Sequence, residues 1–302
     1  MGFYERKRVL ITGGSSGIGR SLGLELASRG ADVVLSGRSV PRLVEAVEEM
    51  RRAAGVGRDV GDRVLDYAAF DVTNDASVRN GVALATSKLR GRIDILVCCS
   101  GLCKCGPICD VPDDAFQSML DVNYLGHVRV VRAAVPAMKE QGSGDVLLVS
   151  SMLGFFGIWG YGAYSASKYA ISGFAECLRQ EVMLDGVRVK IFYPPTTDTP
   201  GLQLENEDKP ELTWAMEAEN TFTSTYEAKQ VARAMADCIP KRKFENVIGW
   251  DSWFVFTMYR WFPTLARWMC DGEFLAASKK TETRKEINGN LSQPATDKDK
   301  SI

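Results

Sequence analysis

The sequence predicts an α/β fold: one domain built on a doubly wound parallel sheet. Three observations point there. β-branched apolar runs alternate with longer stretches of helical period along most of the chain. The runs are continuous, as in Ile93-Asp94-Ile95-Leu96-Val97, which is how strands read when both sheet faces are covered. A glycine-rich turn follows the first run.

In chain order, strands are expected at 8–12, 32–36, 63–70, 93–98, 145–150, 187–192 and 246–249. Segments of helical period lie between them, at 17–29, 40–54, 75–89, 115–140, 162–184 and 226–238. Residues 196–225 read as a long charged connection, the kind that often serves as a lid or binding loop. Residues 277–302 carry few large aliphatic side chains and are expected to be a disordered polar tail.

The chain has 302 residues, with 37 Lys plus Arg against 38 Asp plus Glu. That balance argues against a nucleic-acid partner, which calls for a basic excess or stripe. The first residues, Met-Gly-Phe-Tyr-Glu-Arg-Lys-Arg, lead straight into the first strand, so neither a signal peptide nor an N-terminal membrane helix is expected. The eight cysteines are then read as reduced thiols. Five of them cluster at Cys98, Cys99, Cys103, Cys105 and Cys109, but their spacing is not that of a zinc site. The only histidine, His127, is remote from them in sequence, and no metal is expected.

The turn after the first strand reads Thr12-Gly13-Gly14-Ser15-Ser16-Gly17-Ile18-Gly19. Glycines let the backbone turn sharply and approach a pyrophosphate, which the following helix N-terminus stabilises. Gly13, Ser15, Ser16, Gly17, Ile18 and Gly19 are therefore candidate dinucleotide contacts on a Rossmann-type sheet. The second strand ends in Gly37-Arg38-Ser39, with no acid to hold an adenosine ribose. A guanidinium at Arg38 suits a 2′-phosphate, so the expected cofactor is NADPH, with Arg38 and Ser39 as contacts. Asp71 and Val72 close the third strand, where the adenine is expected.

Tyr164 and Lys168 are four residues apart in a helical segment and share a face; Ser151 follows the fifth strand. A phenol near pKa 10 is a poor proton donor, and a neighbouring ammonium lowers that value. Bringing it toward 7 takes about 4 kcal/mol. A hydroxyl such as Ser151 can hold a carbonyl oxygen while the tyrosine protonates it. Tyr161 has Ser165 at its fourth position and lacks such a partner.

Together the glycine turn, Ser151, Tyr164 and Lys168 resemble the short-chain dehydrogenases/reductases, over about residues 8–250. The resemblance implies that Ser151, Tyr164 and Lys168 are catalytic, that Lys168 also binds the nicotinamide ribose, and that Asn123 organises a proton-relay water. The family's Asn-Asn-Ala-Gly is here Cys98-Cys99-Ser100-Gly101, with only Gly101 retained. Its Pro-Gly-x-x-x-Thr is here Pro194 to Thr199, which makes Pro194, Thr197 and Thr199 cofactor contacts, Thr199 toward the carboxamide.

A narrower similarity lies in Tyr193-Pro194-Pro195-Thr196-Thr197-Asp198-Thr199-Pro200-Gly201 and in Glu205-Asn206-Glu207-Asp208-Lys209-Pro210. Both segments are similar to those of the 3-ketodihydrosphingosine reductases. This implies NADPH-dependent reduction of the 3-keto group of 3-dehydrosphinganine to sphinganine, at the cytosolic face of the endoplasmic reticulum membrane. Reduction of another lipophilic ketone (steroid, retinoid or 3-oxoacyl) shares the catalytic set. A silent NADPH-binding module would not need it.

Four of the six tryptophans fall between Trp250 and Trp268. At helical spacing Trp250, Trp253, Phe254, Trp261, Leu265 and Trp268 share a face, with Pro263 expected to kink or split the helix. The uncharged stretch 252–259 is far short of the roughly 20 residues that span a bilayer. With Arg260, Arg267 and Lys241-Arg242-Lys243 beside it, the face suits a membrane surface. Packing on the body of the protein, or on a second copy in a homo-oligomer, is the competing expectation. The chain thus divides into a reductase domain (1–249), an aromatic extension (250–276) and a tail (277–302).

Overall fold

The computed structural model describes residues 2–55, 62–219 and 224–291. Alternating elements build the sheet: β1 (Arg8–Thr12), α1 (Gly17–Ser28), β2 (Asp32–Gly37), α2 (Val40–Ala53), β3 (Leu65–Ala69), α3 (Asp75–Lys88) and β4 (Ile95–Cys98). Next come α4 (Asp113–Met119), a π-helical segment Leu120–Leu125, α5 (Gly126–Glu140), β5 (Gly144–Val149), α6 (Gly162–Glu181) and β6 (Val187–Phe192). The remainder is β7 (Thr197–Asp198), α7 (Pro200–Glu207), α8 (Glu211–Glu219), β8 (Tyr226–Glu227), α9 (Ala228–Cys238), β9 (Glu245–Asn246), α10 (Gly249–Trp261) and α11 (Pro263–Leu291).

Seven parallel strands lie in the order β3-β2-β1-β4-β5-β6-β9. Side chains alternate across each strand, so one strand feeds two cores. On β1, Val9 and Ile11 pack with Leu22, Leu43, Met50 and Val231 from α1, α2 and α9. Leu10, between them, packs on the other face with Val78, Val130 and Ile171 from α3, α5 and α6. The strand order reverses between β1 and β4, where Thr12 pairs with Cys98. The crevice outside that reversal is where such sheets bind ligands.

The structure departs from the sequence reading in four places. The connection 196–225 is largely ordered into β7, α7, α8 and β8, whose amphipathic period is short and interrupted by charge. The last strand stops at Asn246, because its side-chain amide donates to the carbonyls of Ile191, Lys243 and Phe244 and Gly249 then turns the chain at φ +73°. The single helix expected at 115–140 contains a π-helical turn. The segment expected to be a polar tail is helical from 277 through Leu291 as part of α11, while 292–302 lie outside the described residues. The small side chains of Ala277 and Thr281, one turn apart, are buried as α11 packs on α8; scarce large aliphatics do not prevent that.

The aromatic segment is split as Pro263 requires, with α10 ending before Phe262 and α11 beginning at Pro263. No helix among the described residues is long and apolar enough to cross a membrane.

Candidate active site

The turn after β1 is built by close backbone approach. Gly13 has φ +68°, and a Cβ there would lie 2.8 Å from the Cys99 carbonyl oxygen. A Cβ on Gly19 would lie 2.3 Å from the Gly13 carbonyl oxygen. No side chain fits either place, so the chain wraps tightly and leaves the amides at the start of α1 facing an open crevice. The buried Thr12 hydroxyl accepts from the amides of Cys99 and Ser100, at 3.1 and 3.4 Å. Those backbone bonds tie β4 to the turn where the family has side-chain amides. His127 also braces this loop: its Nε2 lies 3.1 Å from the Ser100 carbonyl oxygen. Remote in sequence, the histidine is thus a neighbour of the cysteine run in space. Burial, and then Lys168, hold its pKa down at about 3, so it is neutral.

A cavity of about 590 Å³ runs along this crevice, of a size suited to small-molecule ligands. Gly13, Ser15, Ser16, Gly17, Ile18 and Gly19 line one end of it with Arg38, Asp71 and Val72. Ser39 does not line it. It is extended at the start of α2, and the cavity position one turn on belongs to Arg42, which the sequence reading missed although it stands four residues after Arg38. The Asp71 carboxylate receives the Thr73 amide and hydroxyl, both at 2.9 Å. Gly101, Pro194, Thr197 and Thr199 line the middle. Thr197 donates to the Pro195 carbonyl at 2.8 Å, and the Thr199 oxygen caps α7 by accepting from Leu202, leaving its O–H to donate.

Ser151 stands directly after β5, and Tyr164 and Lys168 project from the first turns of α6. All three line the cavity. The Ser151 hydroxyl hydrogen-bonds the Tyr164 phenol and favours its ionised form. Lys168 is buried, donates to the Val149 carbonyl at 3.3 Å, and lies 5.6 Å from the Tyr164 ring centre. Burial lowers its pKa to about 8. The Tyr164 phenol moves the other way. Burial is the main cause, the Cys103 thiol and Glu205 carboxylate add to it, and its pKa lies well above the ordinary phenol value. This corrects the expectation that Lys168 brings the phenol toward neutrality: in the protein alone, desolvation outweighs the lysine.

Asn123 does not line the cavity; it stands behind it, fully buried. Its Oδ1 accepts from the Leu102 amide at 2.8 Å, and its Nδ2 donates to the Leu102 carbonyl and the Ser167 hydroxyl, both at 2.9 Å. The π-helical turn presents it there. Gly101 lies beside it, and a Cβ there would stand in ordinary contact distance of Lys168 Nζ and Asn123 Oδ1, at 3.4 and 3.5 Å.

The far half of the cavity is walled by residues the sequence reading did not assign. Phe254, Val255, Met258 and Tyr259 come from α10, and Met269, Cys270 and Glu273 from α11. Phe256 meets Phe155 edge-on at 5.1 Å and Tyr259 stacks on Phe156 at 4.8 Å, fixing α10 to the segment just after Ser151. Tyr161, Glu205 and Glu217 complete this wall. The cysteines are all free, and burial raises Cys99 and Cys105 to about 11. Among the described residues no group of three or more His, Cys, Asp or Glu could hold a metal.

A parallel sheet that reverses at a glycine-rich turn, with a serine, a tyrosine and a lysine meeting in the crevice, defines a nicotinamide-dependent oxidoreductase. The family description "short chain dehydrogenase" matches residues 7–210, and the chain belongs to that family. It is 37% identical over 247 residues to a 3-ketodihydrosphingosine reductase of Bos taurus, covering 81% of this chain and 72% of that one. It is 36% identical over 246 residues to a 3-dehydrosphinganine reductase of Danio rerio, at the same coverage. Among solved structures, a short-chain type dehydrogenase/reductase from Mycobacterium ulcerans is similar, with a TM-score of 0.70, 26% identity and coverage of 80% and 88% of the two chains.

The lowered pKa of Lys168 sets a pH limit. Its ammonium is present below about 8 and is lost as the pH rises through that value. Reductive turnover, measured as kcat/KM against pH, is expected to fall across that range. A profile flat from about pH 7 to 10 would contradict this role for the lysine.

Proposed function

We propose that the chain reduces the 3-keto group of 3-dehydrosphinganine to sphinganine, with NADPH as hydride donor, at a membrane surface. The Tyr164 phenol carries the reaction: it is bonded to Ser151, lies beside Lys168, and opens into a cavity whose far wall is largely apolar. The names of the Bos taurus and Danio rerio relatives supply the substrate.

NADPH, when bound, supplies the hydride to the carbonyl carbon. Gly13, Ser15, Ser16, Gly17, Ile18 and Gly19 would cradle its pyrophosphate, with Asp71 and Val72 beside the adenine. Arg38 and Arg42 present two guanidiniums where a 2′-phosphate would lie, which favours NADPH over NADH. Thr199 keeps a free O–H for a carboxamide. Ser151 and Tyr164 hold the carbonyl oxygen, and Tyr164 transfers its proton as the alkoxide develops. An alkoxide is a much stronger base than a phenolate, so a phenol kept protonated by burial is a competent donor here. The Lys168 ammonium stabilises the phenolate left behind. Asn123 acts as a positioning residue, clamping Leu102 and Ser167 so that Lys168 and the loop after β4 keep their register.

The side of α10 and α11 away from the cavity exposes Trp250, Trp253, Trp261, Phe262, Leu265 and Trp268, and Trp250, Trp261 and Trp268 are each more than 70% exposed. Arg267 on α11, Arg260 (paired with Glu245) and Lys241-Arg242-Lys243 earlier in the chain are exposed as well. Aromatic rings with basic neighbours suit the headgroup layer. The same two helices wall the cavity, so a lipid substrate would reach it from that layer. We assign the chain to the cytosolic face of the endoplasmic reticulum on this basis and on the relatives' substrate.

NADPH oxidation with 3-dehydrosphinganine, steroid, retinoid and 3-oxoacyl ketones tests the function. The amino ketone should be preferred, Tyr164→Phe should slow it about 100-fold or more, and Arg38→Asp should raise the KM for NADPH relative to NADH about 10-fold. Unchanged turnover in Tyr164→Phe would sink the mechanism. Preference for another ketone would sink the substrate.

Vesicle flotation tests the surface. Combined Trp250→Ala, Trp261→Ala and Trp268→Ala should abolish flotation with anionic vesicles while turnover of detergent-dispersed substrate remains. Undiminished flotation would refute the membrane face. Loss of a homo-oligomer without loss of flotation would make it a subunit contact.

A further inference from the structure

Beyond Tyr164 the cavity meets a cluster of charge that the hydride-transfer steps do not use. Lys209 is completely enclosed, with its Nζ 4.8 Å from the centre of the Trp214 ring. It reaches Glu217 at 2.8 and 2.9 Å and Glu205 at 3.2 Å. The Tyr161 hydroxyl stands 2.5 Å from Glu205 Oε1 and 2.7 Å from Glu217 Oε1, with one proton to share between them. Both glutamates line the cavity, whereas Lys209 lies behind them.

The formal charge of this cluster does not balance. Two carboxylates face one ammonium, which leaves one negative charge turned toward the cavity. The two carboxylates are largely enclosed, with side-chain exposures of 12% and 27%, and a charge there without its counterion is disfavoured, so a second cation is expected. Glu273 adds a separate observation: it lines the same half of the cavity, and its Oε1 is buried without a hydrogen-bond partner. The cationic lining residues are Arg38, Arg42 and Lys168; the two arginines sit at the cofactor end, and Lys168 belongs to the catalytic set. The substrate half is therefore acidic.

Glu205 is also close to the chemistry. Tyr161, which bonds both carboxylates, has its ring centre 6.3 Å from that of Tyr164. A ketone oxygen held by Ser151 and Tyr164 would leave the carbon next to the carbonyl in the cavity that Glu205 and Glu217 also line.

We infer that Glu205 and Glu217 form a receptor for a primary ammonium on the carbon adjacent to the ketone, and so select amino ketones over neutral ones. Lys209 and Tyr161 are the positioning residues: they hold the two carboxylates together and leave the charge for the ligand to complete. The inference rests on the keto-reductase reading above and adds the specificity element to it. It also gives a purpose to the Glu205-Asn206-Glu207-Asp208-Lys209-Pro210 segment, which supplies one acid and the lysine.

Three ketones of equal chain length test this with NADPH and the full chain: the 2-amino ketone, the same ketone without the amine, and its N-acetylated form. The wild-type protein should favour the free amine over both neutral forms by about 10- to 100-fold in kcat/KM, mainly through KM. Glu205→Gln and Glu217→Gln should each shrink that ratio toward unity. Equal kcat/KM for all three ketones in the wild-type protein would overturn the ammonium site while leaving keto reduction standing, and needs no variant to fold. A glutamine variant that slows the amine and its neutral analogue by the same factor would make the carboxylates structural and likewise overturn it. Reduction of none of the three would overturn the keto-reductase reading and the ammonium site together.

Discussion

Two groups that prefer water, the Tyr164 phenol and the Lys168 ammonium, are buried one helical turn apart at the carboxyl edge of the sheet, and much of the structure serves to keep them there. Desolvation moves their pKa values in opposite senses, the phenol up and the ammonium down, so each is pushed toward its uncharged form. Buried polar groups must find partners. Lys168 takes the Val149 carbonyl at the end of β5, and Tyr164 takes Ser151, two residues later. Both partners come from one strand end, which is why β5 and α6 must meet at that point.

The reductase site and the α10–α11 wall depend on one another. A dry phenol requires that water be excluded, and the Phe156 and Tyr259 rings, stacked on each other, line the cavity with Phe155 and Phe256 packed edge-on beside them. The helices that supply this wall leave their tryptophans on the outside. One amphipathic unit thereby meets two demands, covering the site and presenting a face suited to lipid. The cavity half it covers is not uniformly apolar, since Glu205 of α7, Glu217 of α8 and Glu273 of α11 line it. An elongated apolar wall with an acidic spot beside the reacting carbon matches a long-chain ketone that carries an amine.

The sheet was legible in the sequence because strands covered on both faces leave long β-branched runs and the glycine turn marks the first crossover. That Tyr164 and Lys168 would meet was legible because residues four apart on a helix share a face, and the structure places both in the cavity. Arg42 escaped notice although it follows Arg38 by one turn, since surface arginines are common and only proximity to a cavity singles one out. α7 and α8 were hidden in what read as a charged loop: their ion pairs, Lys209 with Glu205 and Glu217, look like solvated residues until the fold buries them. The direction of the Tyr164 shift was misjudged for a related reason. The neighbouring lysine is visible in the sequence, whereas the burial that outweighs it comes from residues as distant as Leu102, Val111, Ala115 and Met119, with which Tyr164 packs. The helix beyond 276 was missed because its packing uses alanine and threonine, which leave no hydrophobic signature.

Burial holds Tyr164 as a protonated acid in the protein before any ligand binds. NMR of protein labelled with carbon-13 at the tyrosine ring Cζ, assigned by comparison with Tyr164→Phe and titrated without cofactor, measures this directly. The Tyr164 resonance should show no ionisation up to the ordinary phenol range, about pH 10. A Tyr164 phenolate forming near neutral pH would contradict it and would restore Lys168 as the dominant influence on the phenol.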